Sequence, residues 1–397
     1  MLGNTWWAAR PSGRHAFQSH SPVAAPPQAQ DRAYNQVEGL SLKFVTDEAQ
    51  FRGLQEQWTT LHATQDVTFP ERSFLWAWIA WETIARPRGY KLQILTGYAA
   101  GELVLVLPIV LQHEWPIRIG RWLGPEIGEY SDVLVKRCDH SEQWTAGAWA
   151  AVASQFHLLR IPAVRADAKL WPHVERMRSP HRTFTTAPYI ECSLWPDWQS
   201  YLKSRTSSFR ADLKRASRKL RDSGEPRLIM IDRQDQLRAA LDWIFENKIS
   251  RFSHTHYAAK VLATKLEFCR RICLVALESG QLHMSELWVG SHRIAAQWGI
   301  HSGPRLSAQM NAWDENWRDC GPGRLLGADS IRWAFENAVG LYDLGIGKNE
   351  FKYRYTDKDL VVITDVVVAF SPLDRPLLSI IGAARSMRSF LRKMPRP

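Results

Sequence analysis

The stretch from Asp319 to Leu326 contains the residue types that suit the binding of a phosphorylated ligand. It reads Asp-Cys-Gly-Pro-Gly-Arg-Leu-Leu, and its two glycines let a ligand approach the backbone closely. From Leu325 onward, apolar residues recur at helical spacing, which predicts a helix that ends at Gly340. A glycine loop at a helix N-terminus presents backbone N–H groups and the positive end of the helix dipole. The stretch therefore predicts a phosphate or pyrophosphate site, although a plain turn before a helix fits the same residues.

Two strands are expected to position this loop. Leu306 to Trp313 alternates as a strand before it, and Tyr342, Leu344 and Ile346 alternate as a strand after the helix. The loop would then connect two strands through a helix.

Two hairpins are also predicted, one in each half of the chain. The first turns at Ala100-Gly101, and the second turns at Ser279-Gly280 between strands at 272–277 and 283–289. Because the order of elements around these turns repeats, the chain is predicted to contain an internal duplication.

A basic helix is predicted from Trp198 to Arg221. Its lysines and arginines surround an apolar stripe of Phe209, Leu213 and Leu220. As a functional element it would meet nucleic acid or phosphate, and as a structural element it would be a solvated helix face.

Composition limits the function classes further. The chain has 397 residues and a formal net charge of +11, so two similar halves and an anionic partner are expected. The five cysteines form no CxxC pair, which favours a reduced, cytoplasmic compartment. Residues 1–36 are predicted to be a disordered leader, and residues 371–397 a basic amphipathic tail with possible peripheral membrane contact.

Several common catalytic motifs do not occur in the sequence. There is no Walker A loop, no GxSxG elbow and no HExxH motif. His254 and His256 have no set of carboxylates or thiolates nearby in sequence, so no metal site is predicted.

Motifs in the second half occur in a characteristic order. They are Arg293-Ile294-Ala295-Ala296, Trp313-Asp314, Gly321 to Leu326, Tyr342-Asp343-Leu344-Gly345 and Phe351-Lys352, with Glu129-Tyr130-Ser131-Asp132 in the first half. Lys248 with Arg251 lies near a further basic motif upstream of these. Together they resemble the GNAT-type acyltransferases of the CelD-like group (BioF-type acetyltransferase domains), which are distant relatives of the FemAB peptidyltransferases. The resemblance covers about 40–370 and is strongest over 280–355. One departure is Gly321, which replaces a serine of the family loop.

The resemblance implies an α/β fold of tandem GNAT-like halves, each a twisted mixed sheet flanked by helices. We place the N-terminal half at 37–190 and the C-terminal acyltransferase domain at 191–370. The activity implied is direct transfer of an acyl group from acetyl-CoA, or another acyl-CoA, to an amine or hydroxyl.

The resemblance also implies roles for particular residues. Gly321, Gly323, Arg324 and Leu325 would bind the pyrophosphate of the cofactor, with Arg324 adding a charge-assisted contact. No metal is implied.

Two catalytic candidates follow from the same motifs. Asp314 would be a general base or a ligand of the acceptor, unless it only caps the following turn. Lys352 would stabilise an oxyanion, or a substrate carboxylate or phosphate, unless it is a surface lysine. Asp343 is expected to make a structural hydrogen bond. Tyr130, Asp132 and Trp313 are candidates for binding the acceptor.

Three functions remain open from the sequence. The first is an acyltransferase for a small molecule, a sugar or an envelope precursor, as in polysaccharide biosynthesis. The second is a FemAB-like transferase that uses aminoacyl-tRNA, which the net charge and the 205–221 segment would suit; nucleic acid is nevertheless the less expected partner, because no long heptad-patterned helical insertion is present. The third is a non-catalytic GNAT scaffold in polysaccharide biosynthesis.

Overall fold

One β-sheet contains strands from both predicted halves of the chain. The computed structural model describes residues 39–66, 68–114, 116–124, 130–177, 182–251 and 262–378. The predicted leader, most of the predicted tail, and His254 and His256 lie outside these ranges.

The strands are β1 (Ser41–Val45), β2 (Lys91–Leu92), β3 (Ile94–Ala99), β4 (Glu102–Leu107), β5 (Ile109–Glu114), β6 (Ile117–Trp122), β7 (Leu134–Val135), β8 (Leu158–Arg165), β9 (Thr183–Glu191), β10 (Pro226–Met230), β11 (Leu282–Val289), β12 (His292–Ser302), β13 (Arg305–Trp313), β14 (Leu341–Asp343) and β15 (Asp359–Ala369).

The α-helices are α1 (Glu48–Gly53), α2 (Gln55–Ala63), α3 (Phe74–Ala80), α4 (Ser141–Gln155), α5 (Trp171–Glu175), α6 (Trp198–Ser204), α7 (Ser207–Asp222), α8 (Gln234–Arg251), α9 (Leu266–Glu278), α10 (Pro322–Glu336) and α11 (Glu350–Tyr353). Local sequence explains several helix starts. Asp47 caps α1 by accepting the Gln50 N–H at 2.8 Å, and Ser73 caps α3 by accepting the Trp76 N–H at 3.2 Å.

The strands form two mixed sheets. The smaller has the order β1-β3-β4-β7, and the larger has the order β10-β11-β12-β13-β14-β9-β15-β8-β6-β5-β2. Most neighbouring pairs are antiparallel, but β13 pairs with β14 and β6 pairs with β8 in parallel. The predicted mixed α/β fold with helices flanking the sheets is confirmed.

The two predicted halves share one sheet and one core. β9 spans the predicted boundary at 190, and β15 lies between β8 and β9. Helices of both halves also pack together, as the Trp76 and Phe268 rings show with centroids 4.9 Å apart. The predicted boundary at 190 therefore divides the sequence but does not coincide with a boundary in the sheet or in the core.

Three local predictions were wrong in detail. Residues 272–277 belong to α9 instead of a strand, because Phe268, Cys269, Ile272, Cys273 and Ala276 form one buried helical stripe. The hairpin of the second half is β11–β12, which turns at Gly290-Ser291.

The predicted helix at 198–221 is two helices, since Thr206 starts α7 by accepting the Phe209 N–H at 3.2 Å. The strand predicted through Ile346 stops at Asp343, because Gly345 has a left-handed φ of 79°. No helix in the described ranges is long and apolar enough to cross a membrane.

Candidate functional site

An opening between β13 and β14 marks the candidate site. The two parallel strands pair only over Arg305–Ser307 and Leu341–Asp343, after which β14 ends and β13 continues to Trp313. The remaining length of β13 therefore keeps a backbone edge to which β14 adds no hydrogen bonds. Parallel strands joined by a helix commonly bind ligands at their carboxyl ends, which is where this opening lies.

A β-bulge reshapes β13 beside the opening. Met310 pairs with Trp298 and Ala308 pairs with Gly299, so Gln309 is the extra residue. A Cβ on Gly299 would lie 2.5 Å from the Ser307 carbonyl oxygen. Only glycine therefore allows the two strands to approach this closely at the bulge.

A cavity of about 200 Å³ occupies the opening. Its walls come from β11, β12, β13, β14, α8 and the loop from β14 to α11. The polar or charged lining residues are Lys248, His283, Gln297, Gln309, Asn311, Tyr342, Asn349 and Lys352. Among the described lining residues, none is Asp or Glu, so the ionisable groups on its wall are mainly basic.

The glycine loop follows the carboxyl end of β13, as predicted. Gly321 has a φ of 60°, a left-handed conformation that explains why glycine replaces serine here. α10 then starts at Pro322, whose missing N–H costs nothing at this position. The Gly323 N–H has no hydrogen-bond partner among the described residues, whereas the Arg324 and Leu325 N–H groups bond to the Gly321 carbonyl at 3.0 and 3.2 Å.

Side chains around the start of α10 are both packed and charged. A Cβ on Gly323 would lie 3.2 Å from the Trp313 ring, so this glycine also allows close packing. The guanidinium of Arg251 stacks 3.5 Å from the centroid of the Trp313 ring. Leu325 packs in the same apolar cluster as Trp313.

The basic helix α7 runs beside this loop. Its Lys219 donates to the Asp319 carbonyl at 3.5 Å, and its Asp212 lies 4.0 Å from the Arg324 guanidinium. Asp212 also pairs with Arg354 and, at 3.2 Å, with Arg215. Three arginines near the N-terminus of α10 therefore share the single carboxylate of Asp212.

Lys352 lines the cavity and is not a surface residue. Only 9% of it is exposed, and its Nζ donates to the carbonyls of Gly345 at 2.9 Å and Ile346 at 3.0 Å. Burial lowers the pKa of Lys352 to about 8, against the opposing effect of the Asp343 carboxylate. Lys248 lines the same cavity from α8, and burial together with the charges of Arg251 and Lys352 lowers its pKa to about 8 as well.

Asp343 is the centre of a buried polar network beneath the cavity. It pairs with Arg305 and, at 3.5 Å, with Arg165. Its Oδ1 accepts hydrogen bonds from Tyr130 Oη at 3.1 Å and from the Gly345 N–H at 2.7 Å. The expected structural hydrogen bond of Asp343 is confirmed, and the network satisfies a carboxylate that burial would otherwise destabilise.

The two acceptor-site candidates from the first half are buried. Tyr130 contacts Asp343, and burial raises its pKa well above the usual value. Asp132 accepts the Val133, Leu170 and Lys169 N–H groups at 2.9, 2.9 and 3.1 Å and pairs with Arg72 at 3.1 Å. These contacts give both residues a structural role, and substrate binding by them stays a prediction.

Asp314 caps the short helical turn after β13. Its Oδ1 accepts the Asn316 N–H at 2.9 Å, which is the structural alternative left open by the sequence. Asp314 is not among the described residues that line the cavity, whereas Lys352 is. The structure thus places the glycine loop, Trp313 and Asp314 at the carboxyl end of β13, and Lys352 at the cavity wall.

Two cavity residues were not found by motif reasoning. His283 Nε2 lies 2.8 Å from Ser330 Oγ, and burial lowers the pKa of His283 to about 4, with His301 adding to the effect. Gln297 donates to the Leu326 carbonyl at 3.0 Å. The sequence did contain a signal for both residues, because each is a polar residue within an otherwise apolar central strand. Such a residue needs a buried hydrogen-bond partner. In the described ranges, no cluster of His, Cys, Asp and Glu could hold a metal ion.

The family comparison covers the segment that builds this site. Residues 207–353 match the family model of the acetyltransferase (GNAT) domain. This segment, 147 of the 397 residues, resembles a GNAT acetyltransferase domain. The matched segment includes β13, the glycine loop, α10, β14 and Lys352, so the predicted acyltransferase is confirmed at the level of this domain. The narrower CelD-like assignment stays a prediction.

Solved structures share the fold at low sequence identity. FemX is 10% identical and covers 82% of this chain and 98% of its own, with a TM-score of 0.53. A tandem GNAT protein from the clavulanic acid biosynthesis pathway is 13% identical over 84% of this chain and 99% of its own, with a TM-score of 0.46.

The C-terminal domain of a putative lysylphosphatidylglycerol synthetase from Agrobacterium fabrum is 10% identical over 84% of this chain and 96% of its own, with a TM-score of 0.48. At 10% identity, the similarity to FemX concerns the fold alone. No curated protein matches the sequence significantly.

Proposed function

We propose that this protein transfers an acyl group from an acyl-coenzyme A directly to an amine or hydroxyl of a small molecule, sugar or envelope precursor. The observation that carries the proposal is the opening between β13 and β14, with the glycine loop and the start of α10 at the same end of β13. The proposal includes a cytoplasmic location and a role in polysaccharide or envelope metabolism.

The donor would bind along β13. Its pantetheine arm contains two amide groups, and amides can pair with the β13 backbone edge that β14 leaves uncovered. Its pyrophosphate would meet the Gly323 N–H and the positive end of α10. Arg324 and Lys219 add positive charge beside that helix end.

The acyl thioester would then lie in the cavity beside Lys352. The Lys352 Nζ uses two of its hydrogens for the Gly345 and Ile346 carbonyls, which leaves a third for a substrate oxygen. No covalent enzyme intermediate is needed, because positioning the acceptor against the thioester supplies much of the rate. Asp314 would act as the general base after its hydrogen bond to the Asn316 N–H opens on binding of the acceptor.

A second candidate function is aminoacyl transfer from tRNA. The observation that favours it is the row of exposed cations on α7, formed by Lys214, Arg215, Arg218, Lys219 and Arg221. A polyanion bound there would reach the loop at Gly321, since α7 packs beside it. The cavity itself, with two lysines, suits a cationic aminoacyl group poorly.

The deciding experiment is calorimetric titration of the protein with acetyl-CoA. The matched variants are Ala308→Phe, which fills the cavity, and Ala146→Phe, on the exposed side of α4. We expect wild type and Ala146→Phe to bind, and Ala308→Phe to lose binding. A side chain at Gly323 is a poorer choice, because it would displace the Trp313 ring.

A second arm tests where the phosphates bind. Arg324→Gln should weaken acetyl-CoA binding about tenfold, equivalent to ~1.4 kcal/mol, and leave acetyl-pantetheine unaffected. No binding of acetyl-CoA or longer acyl-CoAs by wild type would overturn the proposal. Binding of aminoacyl-tRNA with a steep salt dependence would then favour the second candidate.

A further inference from the structure

The cavity between β13 and β14 contains two lysines and no described carboxylate. Lys248 extends from α8 and Lys352 from α11, and both line the same space of about 200 Å³. The two ammonium groups repel each other, since the charge of Lys352 lowers the pKa of Lys248. At neutral pH, a lysine with a pKa of about 8 is still protonated in a ratio of about ten to one.

Lys248 has no anionic partner among the described residues. The charged groups that shift its pKa are both positive, namely Arg251 and Lys352. Arg251 is itself paired with Glu315 at 3.0 Å, so that carboxylate is already engaged. A largely buried ammonium without a partner is costly to keep, which indicates that its partner arrives with a ligand.

Other groups in the cavity wall point to the same ligand chemistry. Trp298 is 1% exposed and lines the cavity, and its Nε1–H, which can only donate, has no hydrogen-bond partner among the described residues. Asn311 and Asn349 supply further amide donors to the wall. The wall thus offers several donors and two cations, which a carboxylate or phosphate oxygen would satisfy because it only accepts.

We propose that a substrate of this transfer reaction carries an anionic group, a carboxylate or a phosphate, that binds between Lys248 and Lys352. This inference rests on the proposed acyl transfer and adds a substrate class to it. The group belongs either to the acyl acceptor or to the far end of a dicarboxylic acyl chain. In both cases Lys248 determines specificity by requiring a negative charge in the cavity.

The test measures the reactivity of individual lysines. The full-length protein is labelled between pH 6 and 10 with a trace of isotopic acetic anhydride, and the modification of each lysine is quantified by mass spectrometry. Lys43, exposed on β1, is the internal reference. We expect Lys248 and Lys352 to label with midpoints near pH 8 in the protein alone.

Added anions should protect the two cavity lysines and leave the labelling of Lys43 unchanged. Succinate, glutamate or inorganic phosphate should slow labelling of Lys248 about tenfold, which corresponds to raising its pKa by about one unit. Protection by succinate or glutamate in the presence of acetyl-CoA identifies the acceptor as the source. Greater protection by succinyl-CoA than by acetyl-CoA identifies the acyl chain. No protection of Lys248 by any of these probes overturns the inference.

Variants separate this inference from the proposed donor. Lys248→Gln should lose the anion-dependent protection of Lys352, Lys248→Arg should retain it, and Lys43→Gln should match wild type. Binding of acetyl-CoA without any anion effect would remove the inference and keep the proposed function. Protection by anions without binding of any acyl-CoA would overturn the proposed function and keep the anion site between the two lysines.

Discussion

The phenolic hydroxyl of Tyr130 donates a 3.1 Å hydrogen bond to Oδ1 of Asp343, and the two residues are 213 positions apart in sequence. The same Oδ1 accepts the Gly345 N–H, and the Gly345 carbonyl accepts from Lys352. A loop of the first half is thereby connected, through three hydrogen bonds, to the lysine at the cavity wall. The first half supports the site by fixing the loop that holds Lys352.

Tyr130→Phe tests this connection with the smallest change. Removing one donor leaves the buried Asp343 with its remaining partners, so we expect a loss of about 1–3 kcal/mol in the free energy of unfolding. Urea unfolding measures it. Tyr98→Phe is the control, because the Tyr98 hydroxyl has no hydrogen bond to the described residues. Equal stability of the two variants would contradict the role given to Tyr130.

Asp343→Asn should have a larger effect than Tyr130→Phe. Arg305 is 1% exposed and pairs with Asp343, so the variant leaves a buried guanidinium without its counter-charge. We expect a loss of about 3–5 kcal/mol in the free energy of unfolding. Asp357→Asn removes a carboxylate that is 86% exposed in its pair with Arg205, and should change the free energy of unfolding by less than about 1 kcal/mol. A small effect of Asp343→Asn would show that the network is not the support described.

Sequence reasoning predicted those features of the candidate site that depend on residues close together in the chain. The glycine loop, the helix after it and the strand before it depend on turn residues and helical spacing within about thirty positions. The departure at Gly321 also has a local cause, a left-handed φ. The mid-strand position of Asp343 predicted its structural hydrogen bond, and the motif match implied a catalytic role for Lys352, which stays a prediction.

Other features depend on contacts between distant segments. No local pattern shows that β15 inserts between β8 and β9, or that β14 stops after three paired residues. Tertiary packing likewise determines the partners of Tyr130 and places Lys248 and Lys352 on the wall of one cavity. The error at 272–277 had a different origin, since the window was too short to reveal the helical stripe of α9.

Gly299→Ala tests the close approach of β12 and β13. The added methyl would lie 2.5 Å from a backbone oxygen, so β13 must shift and the bulge beside the cavity must change. We expect a loss of about 1–3 kcal/mol in the free energy of unfolding, together with weaker binding of acetyl-CoA. Gly53→Ala is the matched control, because nothing lies within 4 Å of its added Cβ and its φ is not left-handed. The control should be neutral or more stable by about 0.4–1 kcal/mol.

His283 should make the stability of the fold depend on pH in mild acid. Burial lowers its pKa to about 4, so the folded protein does not take up the proton that an unfolded histidine binds near pH 6.5. The unfolded state therefore binds more protons between pH 6.5 and 4, and stability falls as pH falls through that range. We expect wild type to lose about 2 kcal/mol more than His283→Gln between pH 7 and 5, because a pKa difference of one between the folded and unfolded states corresponds to ~1.36 kcal/mol.

Urea unfolding of both proteins at several pH values measures this difference, and the other histidines cancel because both proteins contain them. His292→Gln, at an exposed position of β12, should follow wild type across the same range. Parallel curves for wild type and His283→Gln would mean that His283 accepts a proton in the folded state. Its Nδ1, which has no hydrogen-bond partner among the described residues, would then carry that proton at the cavity wall. The cavity would in that case hold three cations, and its preference for an anionic ligand would strengthen as the pH falls.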